Sequence, residues 1–304
     1  MKKIIYIFIL LGMFSPVFCN GANASLVSDR GYRAEQKRYE KNEAKQIKEL
    51  FKIHYEYANQ HDAENLKSLY SDNFVDNDGF NKEVYFKNVV DTWDECSDVS
   101  YKAKIKSIKV EGDIALVLVE ETATGTVYDN IDIGPATGEI HSKSEGIYHL
   151  EKINAKWFIS GETVLSDESS LLYGDARFMN ISMIAPAQVF SGEQYTATVK
   201  VDSDEKVYMI GSIEHDPIVY PAGKTNAPLR VVPPTNILER VLKANSDNLN
   251  EYAVASLAIS KTKDEGLSNF KIYMVGLACV MKRINVVPKN NFIKFEGKNE
   301  RTDR

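Results

Sequence analysis

Residues 146–164 read GIYHLEKINAKWFISGETV, and this stretch decides the fold that the sequence predicts for the first half of the chain. Two runs of alternating apolar and polar side chains flank the tripeptide 154–156, Asn-Ala-Lys. Alternation with a period of two is typical of β-strands, and an asparagine in a short polar link favours a tight turn. The stretch therefore predicts an antiparallel β-hairpin whose second strand covers 157–165.

Upstream of this hairpin the apolar residues repeat with a helical period. A helix over 35–60 has an apolar face made of Ile47, Leu50, Phe51, His54 and Ala58. Asp62 is placed to cap a second helix that ends near Tyr70, and Asn81 to cap a third that ends near Cys96, because short polar side chains accept from free N–H groups in the first turn. Residues 99–122 then alternate as strands, so the order predicts an α+β unit.

Three segments of this unit resemble one known family. They are YANQHD at 57–62, LKSLYSDNF at 66–74, and the hairpin quoted above. Together they resemble the nuclear-transport-factor-two-like fold, the cone shared by ketosteroid isomerases and SnoaL-like polyketide cyclases, over residues 42–168. The resemblance implies a curved sheet wrapped around the long first helix, with a pocket open at one end. It includes no catalytic signature, so it supports a fold better than a function.

The second half of the sequence favours β-structure throughout. After the polar connection 166–175, strand-like runs recur at short spacing over 176–289, which predicts a β-sandwich. The segment IAPAQVFSGEQYTATVKVD, at 184–202, resembles the opening of bacterial immunoglobulin-like modules. NILERVLKA, at 236–244, reads as one amphipathic helix at an edge. The predicted fold class is thus an α+β cone, three helices on a curved antiparallel sheet, followed by an all-β sandwich.

The N-terminus predicts export from the cell. Two lysines precede the apolar run 4–14, and small residues at 22–24 offer a cleavage site, so 1–24 reads as a signal peptide. The expected location is secreted or periplasmic, with no transmembrane segment after cleavage. Cys19 opens a lipoprotein alternative, which the bulky Phe18 before it disfavours. Residues 25–41 are expected to form a flexible or helical lead-in, and 290–304 a disordered tail.

Charge and cysteine content exclude several kinds of protein. The 304 residues carry 37 Lys and Arg against 43 Asp and Glu, a formal charge of −6, which disfavours nucleic acid as a partner. Cys96 and Cys279 remain after signal cleavage, and buried free thiols are favoured over a bridge between them. The sequence has no metal-ligand motif and suggests no cofactor.

Four residues are predicted to line the pocket of the first domain and bind its ligand: His54, Trp93, Tyr148 and Trp157. In the strand 139–152, charged side chains mark one face as solvent-facing, which turns Ser142, Ser144, Gly146 and Tyr148 inward. His54 is read either as a general base or ligand contact, or as a histidine satisfied by a backbone carbonyl or a tyrosine hydroxyl.

The acidic residues leave further alternatives open. Asp76 and Asp78 lie near the position where ketosteroid-isomerase-like proteins carry a catalytic aspartate, but FVDNDGF at 74–80 also has the composition of a surface turn, and the turn interpretation is favoured. Glu120 and Glu121 sit at a strand end and could face either way. Isomerase chemistry would need a second inward acid, and the sequence does not identify one.

These observations lead to three hypotheses about function. The first is an exported, non-catalytic binding protein, whose pocket holds a small apolar or peptide-like ligand and whose sandwich contacts another protein. The second is an isomerase, dehydratase or cyclase that uses His54 or Asp76 as base and Tyr148 as hydrogen-bond donor. The third is a structural component of an envelope assembly. An acid or His54 within reach of Tyr148 favours the second, and an exposed apolar patch the third.

Overall fold

The structure, a computed structural model, describes residues 29–131, 134–202, 207–221, 228–264 and 270–289. The predicted signal peptide 1–24 and tail 290–304 lie outside these ranges. Within them no helix is long and apolar enough to cross a membrane.

The α-helices of the described residues all lie in the first third of the chain, and a short 3-10 helix follows at Asp175–Phe178. The α-helices are α1 (Asp29–Gln60), α2 (Ala63–Ser68) and α3 (Lys82–Glu95). Both predicted caps are confirmed, because Asp62 accepts from the Asn65 N–H at 3.1 Å and Asn81 accepts from the Val84 N–H at 3.0 Å. The second helix is shorter than predicted, since a strand begins at Tyr70.

Strands make up most of the remaining structure. They are β1 (Tyr70–Asp76), β2 (Ser100–Glu111), β3 (Ile114–Ile131), β4 (Gly134–Ile153), β5 (Lys156–Gly174), β6 (Asn180–Ile184), β7 (Gln188–Phe190), β8 (Gln194–Asp202), β9 (Tyr208–Pro217), β10 (Arg230–Val231), β11 (Ile237–Lys243), β12 (Glu251–Asp264) and β13 (Phe270–Val287). The hairpin predicted at 146–164 is confirmed as β4 and β5, and its turn residues Asn154 and Ala155 have φ of 48° and 65°.

One sheet runs through both halves of the described chain. Ten described strands belong to it, eight of them in the order β10-β9-β12-β13-β5-β4-β3-β2, while β1 pairs with β5 and β7 pairs with β13. Strand β5 joins the two halves, because it pairs with β4 along its length and with β13 over 168–174. The expected fold class, a helix-on-sheet cone followed by an all-β sandwich, is therefore wrong.

The error has a physical origin in residues 166–175. Their polarity suggests a linker, but β5 continues through them to Gly174, and polar side chains that face inward, such as Asp167 and Ser169, are hydrogen-bonded. Asp167, for example, is 2% exposed and accepts from the Tyr252 hydroxyl at 2.6 Å and from the Ser169 hydroxyl at 3.0 Å. A buried polar group that has partners is compatible with a central strand, and those partners are distant in sequence.

Two cores lie on opposite faces of the sheet. The helices cover one face over the first half, which we call the helix-side face, and a three-stranded sheet of order β11-β8-β6 covers the opposite face over the second half. Leu171 and Leu172 are consecutive in β5, yet the first packs into the helix-side core and the second against the other. Alternation along a strand thus lets one β-strand contribute to both cores.

The helix predicted at 236–244 is also wrong, because this segment contains β11. Its residues pair with β8 in an unbroken antiparallel register from Ile237 opposite Lys200 to Lys243 opposite Gln194. Leu238 and Leu242 are both buried. A spacing of four fits one face of a helix and one face of a strand equally well, so in a run this short the neighbouring strand decides.

Candidate functional site

Two buried carboxyl groups lie in the helix-side core beneath α1 and α3. Glu121, on β3, accepts from the hydroxyl of Tyr148 at 3.0 Å and from that of Tyr55 through the same oxygen, Oε1. Glu162, on β5, accepts from the Tyr85 hydroxyl at 2.9 Å. The site is thus a pair of acids surrounded by phenol groups, and we call it the Glu–Tyr cluster.

Two irregularities in β5 turn Glu162 inward. The β4–β5 register shifts between His149 and Leu150 and again between Glu145 and Gly146, so that Ser160 and Leu165 are extra residues on β5. Between these bulges Glu162 stands opposite Tyr148 and shares its face. An inserted residue moves every later side chain of the strand to the opposite face of the sheet. The second inserted residue restores the original alternation.

Burial controls the charge of both carboxyl groups. Removal from water raises the pKa of Glu121 to about 7, against the opposing effect of the hydrogen bonds from Tyr55 and Tyr148. Burial, together with the charge of Glu121, raises the pKa of Glu162 well above its usual value. Two carboxylates in one dry site cannot both ionise easily, so Glu162 is the protonated member at neutral pH.

His54 is a neutral member of this core. Its Nε2 lies 2.8 Å from the hydroxyl of Tyr70, and burial lowers its pKa to about 3. The interpretation of His54 as a residue satisfied by a tyrosine hydroxyl is supported by this contact. An imidazole with so low a pKa is a poor general base near neutral pH.

A small cavity lies against the Glu–Tyr cluster, and its volume is about 30 Å³. The side chains that line it include His54, Tyr55, Trp93, Glu121 and Tyr148. His54 Nδ1 and Glu121 Oε2 are buried and have no hydrogen-bond partner among the described residues. A space of this size beside two unpaired polar atoms accommodates about one water molecule. We call it the buried cavity.

Three of the four predicted ligand-binding residues meet at the buried cavity, namely His54, Trp93 and Tyr148. Trp157 does not. Its Nε1 donates to Glu43 Oε2 at 2.8 Å, near the middle of α1. Glu43 precedes His54 by eleven residues, or about 16 Å along a helix axis. The ligand-binding role of these residues remains a prediction.

Asp76 and Asp78 belong to a buried junction between the two halves of the chain. Arg283, on β13, donates from Nη1 to Asp78 Oδ2 at 3.0 Å and from Nη2 to Asp78 Oδ1 at 3.2 Å. The side chain of Arg283 is 0% exposed and that of Asp78 is 3% exposed. This planar two-point contact is the strongest geometry for an arginine–carboxylate pair. The acidic side chains of the turn at 74–80 therefore have a structural role in the junction, while Val75 and Gly79 of the same turn are exposed.

Asp76 stabilises the same turn from within. Its Oδ1 accepts from the backbone N–H of Asp78 at 2.9 Å and of Phe80 at 2.7 Å. Burial and the neighbouring Asp78 raise the pKa of Asp76 to about 7, although both backbone hydrogen bonds act against the shift. Because its oxygen is already held by two N–H groups, Asp76 is a poor candidate for the catalytic base.

An open groove of about 650 Å³ lies beside this junction. We call it the seam groove, and it is lined by the segments 76–79, 163–165, 187–188, 248–250 and 285–288, with Ile218. Its polar walls are mainly amides. Asn285 Nδ2 donates to the Leu165 carbonyl at 3.0 Å, and Asn250 Oδ1 accepts from the Val286 N–H at 2.8 Å.

Exposed apolar side chains occur on β9 and β10, at the far end of the sheet. Tyr208, Ile210 and Val231 are 48%, 42% and 76% exposed, and Ile210 stands directly opposite Val231. An apolar patch of this kind is what the assembly hypothesis expects, and that hypothesis stays a prediction.

The remaining sequence motifs show no further site in the described ranges. Cys96 and Cys279 are both free thiols, Cys96 buried and Cys279 half-buried. No group of three His, Cys, Asp or Glu side chains among the described residues is arranged to hold a metal ion.

Comparisons with known proteins show only weak likeness. No protein-family model matches the sequence, and no curated protein matches it. Solved structures that match in part include Bd1075 of Bdellovibrio bacteriovorus, with 13% identity over 39% of this chain and 38% of that one and a TM-score of 0.32. A conserved protein from Planctomyces limnophilus DSM 3776 has 15% identity over 40% of this chain and 93% of that one, with a TM-score of 0.34.

A third match is the hexachlorocyclohexane dehydrochlorinase LinA-type3 from Novosphingobium barchaimii LL02. It is 13% identical over 40% of this chain and 85% of that one, with a TM-score of 0.32. Such dehydrochlorinases have the cone fold to which the sequence resemblance points. The immunoglobulin-like resemblance has no counterpart among these matches. All three TM-scores are below 0.5.

Sequence reasoning missed Glu162, Tyr55 and Arg283. Strict alternation from Trp157 and Ile159 places Glu162 on the outer face, and only the bulge at Ser160 reverses it. Tyr55 follows His54 on α1. Its position next to a residue already assigned to the pocket is the one feature of the sequence that could have identified it. Arg283 gave no signal in the sequence, because its partner Asp78 is 205 residues away.

Proposed function

We propose that this chain is a non-catalytic binding protein that holds its ligand in the seam groove. The observation that carries the proposal is the difference in volume between the two spaces, about 30 Å³ in the buried cavity and about 650 Å³ in the seam groove. Pockets that hold small molecules or short peptides usually measure about 300–1,000 Å³. The groove falls in this range and the cavity does not.

The sequence suggests either a small apolar ligand or a peptide-like one, and the walls of the seam groove favour the second class. The groove walls include the amides of Asn77, Gln188 and Asn248, a side-chain type that has both donors and acceptors. The amides of Asn250 and Asn285 are already hydrogen-bonded within the protein. Such walls suit a peptide-like ligand better than an apolar one. On this proposal the Glu–Tyr cluster supports the first half of the sheet, and His54, Trp93 and Tyr148 form its packed wall.

The test places a bulky side chain in the groove. Ala187 is exposed and lines the groove, so Ala187→Trp fills it without removing any side-chain hydrogen bond of the described residues. Ala103→Trp, on exposed strand β2, is the matched control. We expect native mass spectrometry of the protein purified from its own compartment to show a bound small molecule or peptide. It should be lost in Ala187→Trp and kept in Ala103→Trp. Equal retention in both variants contradicts the proposal.

The export part of the proposal rests on the sequence of residues 1–24. N-terminal sequencing of the protein from its natural host should find Ser25 as the first residue, because the cut is expected after Ala24. A chain that retains its initial residues in the cytoplasm would contradict export.

An enzyme remains a second candidate because of one observation. The Tyr148 hydroxyl lies 3.0 Å from Glu121, whose pKa burial raises to about 7. An acid with a pKa near the working pH is suited to proton transfer. The buried cavity would have to open before any substrate larger than a water molecule could reach it.

This second candidate has its own measurement. If the cluster catalyses proton transfer next to a carbonyl group, the protein in D₂O should exchange α-protons of a cyclic ketone such as cyclohexanone, detected by NMR. Exchange should fall to the uncatalysed rate in Glu121→Gln. No exchange above buffer with a panel of cyclic ketones leaves the binding proposal standing alone.

A further inference from the structure

The seam groove lies where the large sheet divides. On the side of β5 that faces away from β4, β1 pairs only as far as Glu162, and β13 begins to pair at Glu168. Residues 163–167 have no strand partner on that side among the described residues. At about 3.3 Å per residue this stretch of open edge is about 16 Å long.

Strand β7 forms the other side of the same gap. It pairs in parallel with β13, from Gln188 opposite Asn285 to Phe190 opposite Val287. In the described part of the chain β7 has no second partner, and Gln188 lines the groove. The groove is therefore flanked by two strand segments that each have a strand partner only on the far side. On the open edge of β7 the Phe190 N–H is bonded to Glu193 Oε2 at 2.9 Å, so Gln188 is the residue of β7 that faces a new strand.

Side-chain amides already stand where backbone groups of a strand would bond. Asn285 Nδ2 donates to the carbonyl of Leu165, and Asn250 Oδ1 accepts from the N–H of Val286. A primary amide has the same donor and acceptor chemistry as a peptide group. A peptide could therefore take over the bond to Leu165 with little net loss, because one amide hydrogen bond replaces another.

The charge of the groove defines the partner further. Its two acids are occupied, Asp78 by Arg283 and Asp76 by two backbone N–H groups. The other polar side chains on its walls are uncharged amides and a threonine. Such walls offer no counter-charge to a charged side chain, so they favour an uncharged one.

We propose that the seam groove binds an extended, uncharged peptide segment that adds as a strand between β5 and β7. Strand addition obtains affinity from main-chain hydrogen bonds to an open sheet edge. This inference rests on the proposed function, since it specifies the ligand of the same groove.

The experiment selects peptides from a displayed library of random octapeptides on the immobilised full chain. The strongest binder is then synthesised in two forms that carry N-methyl groups at alternate residues, one form for each set of alternate residues. N-methylation removes backbone donors and leaves the side chains unchanged. We expect the selected sequences to be poor in charged residues. Both methylated forms should bind at least tenfold more weakly than the unmethylated peptide, because alternate N–H groups of an inserted strand face β5 and β7.

Hydrogen exchange locates the bound peptide. We expect slower amide exchange in 163–167 and 187–190 when the selected peptide is present. Binding should also weaken at least tenfold in Ala187→Trp and remain unchanged in Ala103→Trp.

The outcomes separate this inference from the proposed function. Binding that Ala187→Trp abolishes, but that both methylated forms retain, overturns strand addition and preserves the groove as the ligand site. The same holds if no peptide is selected while a small molecule copurifies and is lost in Ala187→Trp. Peptide binding that Ala187→Trp does not weaken overturns both proposals.

Discussion

Among the described residues Arg283 has the largest side chain that is almost fully buried, and its partner Asp78 lies in the turn that follows β1. The Coulomb attraction of a buried pair is offset by the removal of both charges from water. The pair is thus a weak source of net stability, but the loss of one partner leaves an uncompensated buried charge. Residues of this kind join distant segments at a defined position.

The first prediction concerns this ion pair. Arg283→Met should lower the free energy of unfolding by about 3–5 kcal/mol, because the buried Asp78 carboxyl group loses its charged partner and must stay unpaired or take up a proton. Urea denaturation at pH 7 measures the change. The double variant Asp78→Asn with Arg283→Met should recover part of the loss, since the pair then leaves no unpaired buried charge.

An exposed pair provides the control for this measurement. Lys52 and Glu49 lie 3.2 Å apart on α1 with 70% and 61% of their side chains exposed, so Glu49→Gln should change stability little. An Arg283→Met variant that is as stable as Glu49→Gln would contradict the role given to the buried pair.

The second prediction concerns pH and Glu121. Its folded-state pKa, about 7, lies above its ordinary value of 4.5, so the folded protein binds more protons than the unfolded chain between these values. Stability from this group is complete below pH 4.5 and is lost as pH rises through 7. Glu121→Gln has no proton to lose there. The loss of unfolding free energy between pH 5 and 8 should therefore be smaller in this variant, by about 1–3 kcal/mol.

Urea denaturation of both proteins at pH 5, 6, 7 and 8 gives the two profiles. Glu120→Gln is the matched control, because Glu120 is its neighbour on β3 and forms a half-buried ion pair with Lys106 at 2.8 Å on the outer face. If Glu121→Gln and the wild type lose stability equally between pH 5 and 8, Glu121 does not hold a proton in the folded core.

At the scale of elements, β5 explains both the site and the fold. Its bulges at Ser160 and Leu165 bring Glu162 to the Glu–Tyr cluster, and its last third pairs with β13. It ends at Gly174, where φ is 57° and ψ is −133°. This backbone conformation is accessible to glycine and strained for other residues.

The third prediction concerns this glycine. An added Cβ at Gly174 would collide with the carbonyl oxygen of Val275, on β13, in addition to the backbone strain. Gly174→Ala should therefore cost about 2–5 kcal/mol in thermal or urea unfolding. Gly112 is a suitable control, because its φ is 59° and a Cβ there meets nothing within 4 Å. Equal losses in Gly174→Ala and Gly112→Ala would show that contact with β13 is unimportant.

At the scale of the whole molecule, the shared sheet couples the two halves. The junction of Asp78 with Arg283 adds a buried contact between residues 205 positions apart. Two units that share a central strand cannot separate without breaking the backbone hydrogen bonds along it, which favours all-or-none unfolding. The boundaries 42–168 and 176–289 proposed from the sequence remain a prediction about domains.

The fourth prediction follows from this coupling. The chain has two tryptophans, Trp93 and Trp157, both in the first half, whereas circular dichroism near 218 nm reports strands in both halves. Urea transitions followed by tryptophan fluorescence and by circular dichroism should coincide. Two separated transitions would instead indicate halves that unfold independently.

The sequence by itself determined the local structure: the helix caps at Asp62 and Asn81, the tight turn at Asn154, and the face of β4 that turns Tyr148 inward. Each of these features depends on side chains a few residues apart, so the local sequence pattern is sufficient to predict it. The contact of His54 with Tyr70, sixteen residues away, is close to the limit of this reasoning.

Only the tertiary structure decided the second partner of β5, the inward turn of Glu162, and the burial of Asp78 against Arg283. These depend on which distant strands are adjacent and on where one strand has an extra residue. A polar segment such as 166–175 is a linker if solvated and a central strand if its hydrogen bonds are satisfied. The partners that make this difference are distant in sequence and become neighbours only when the sheet assembles.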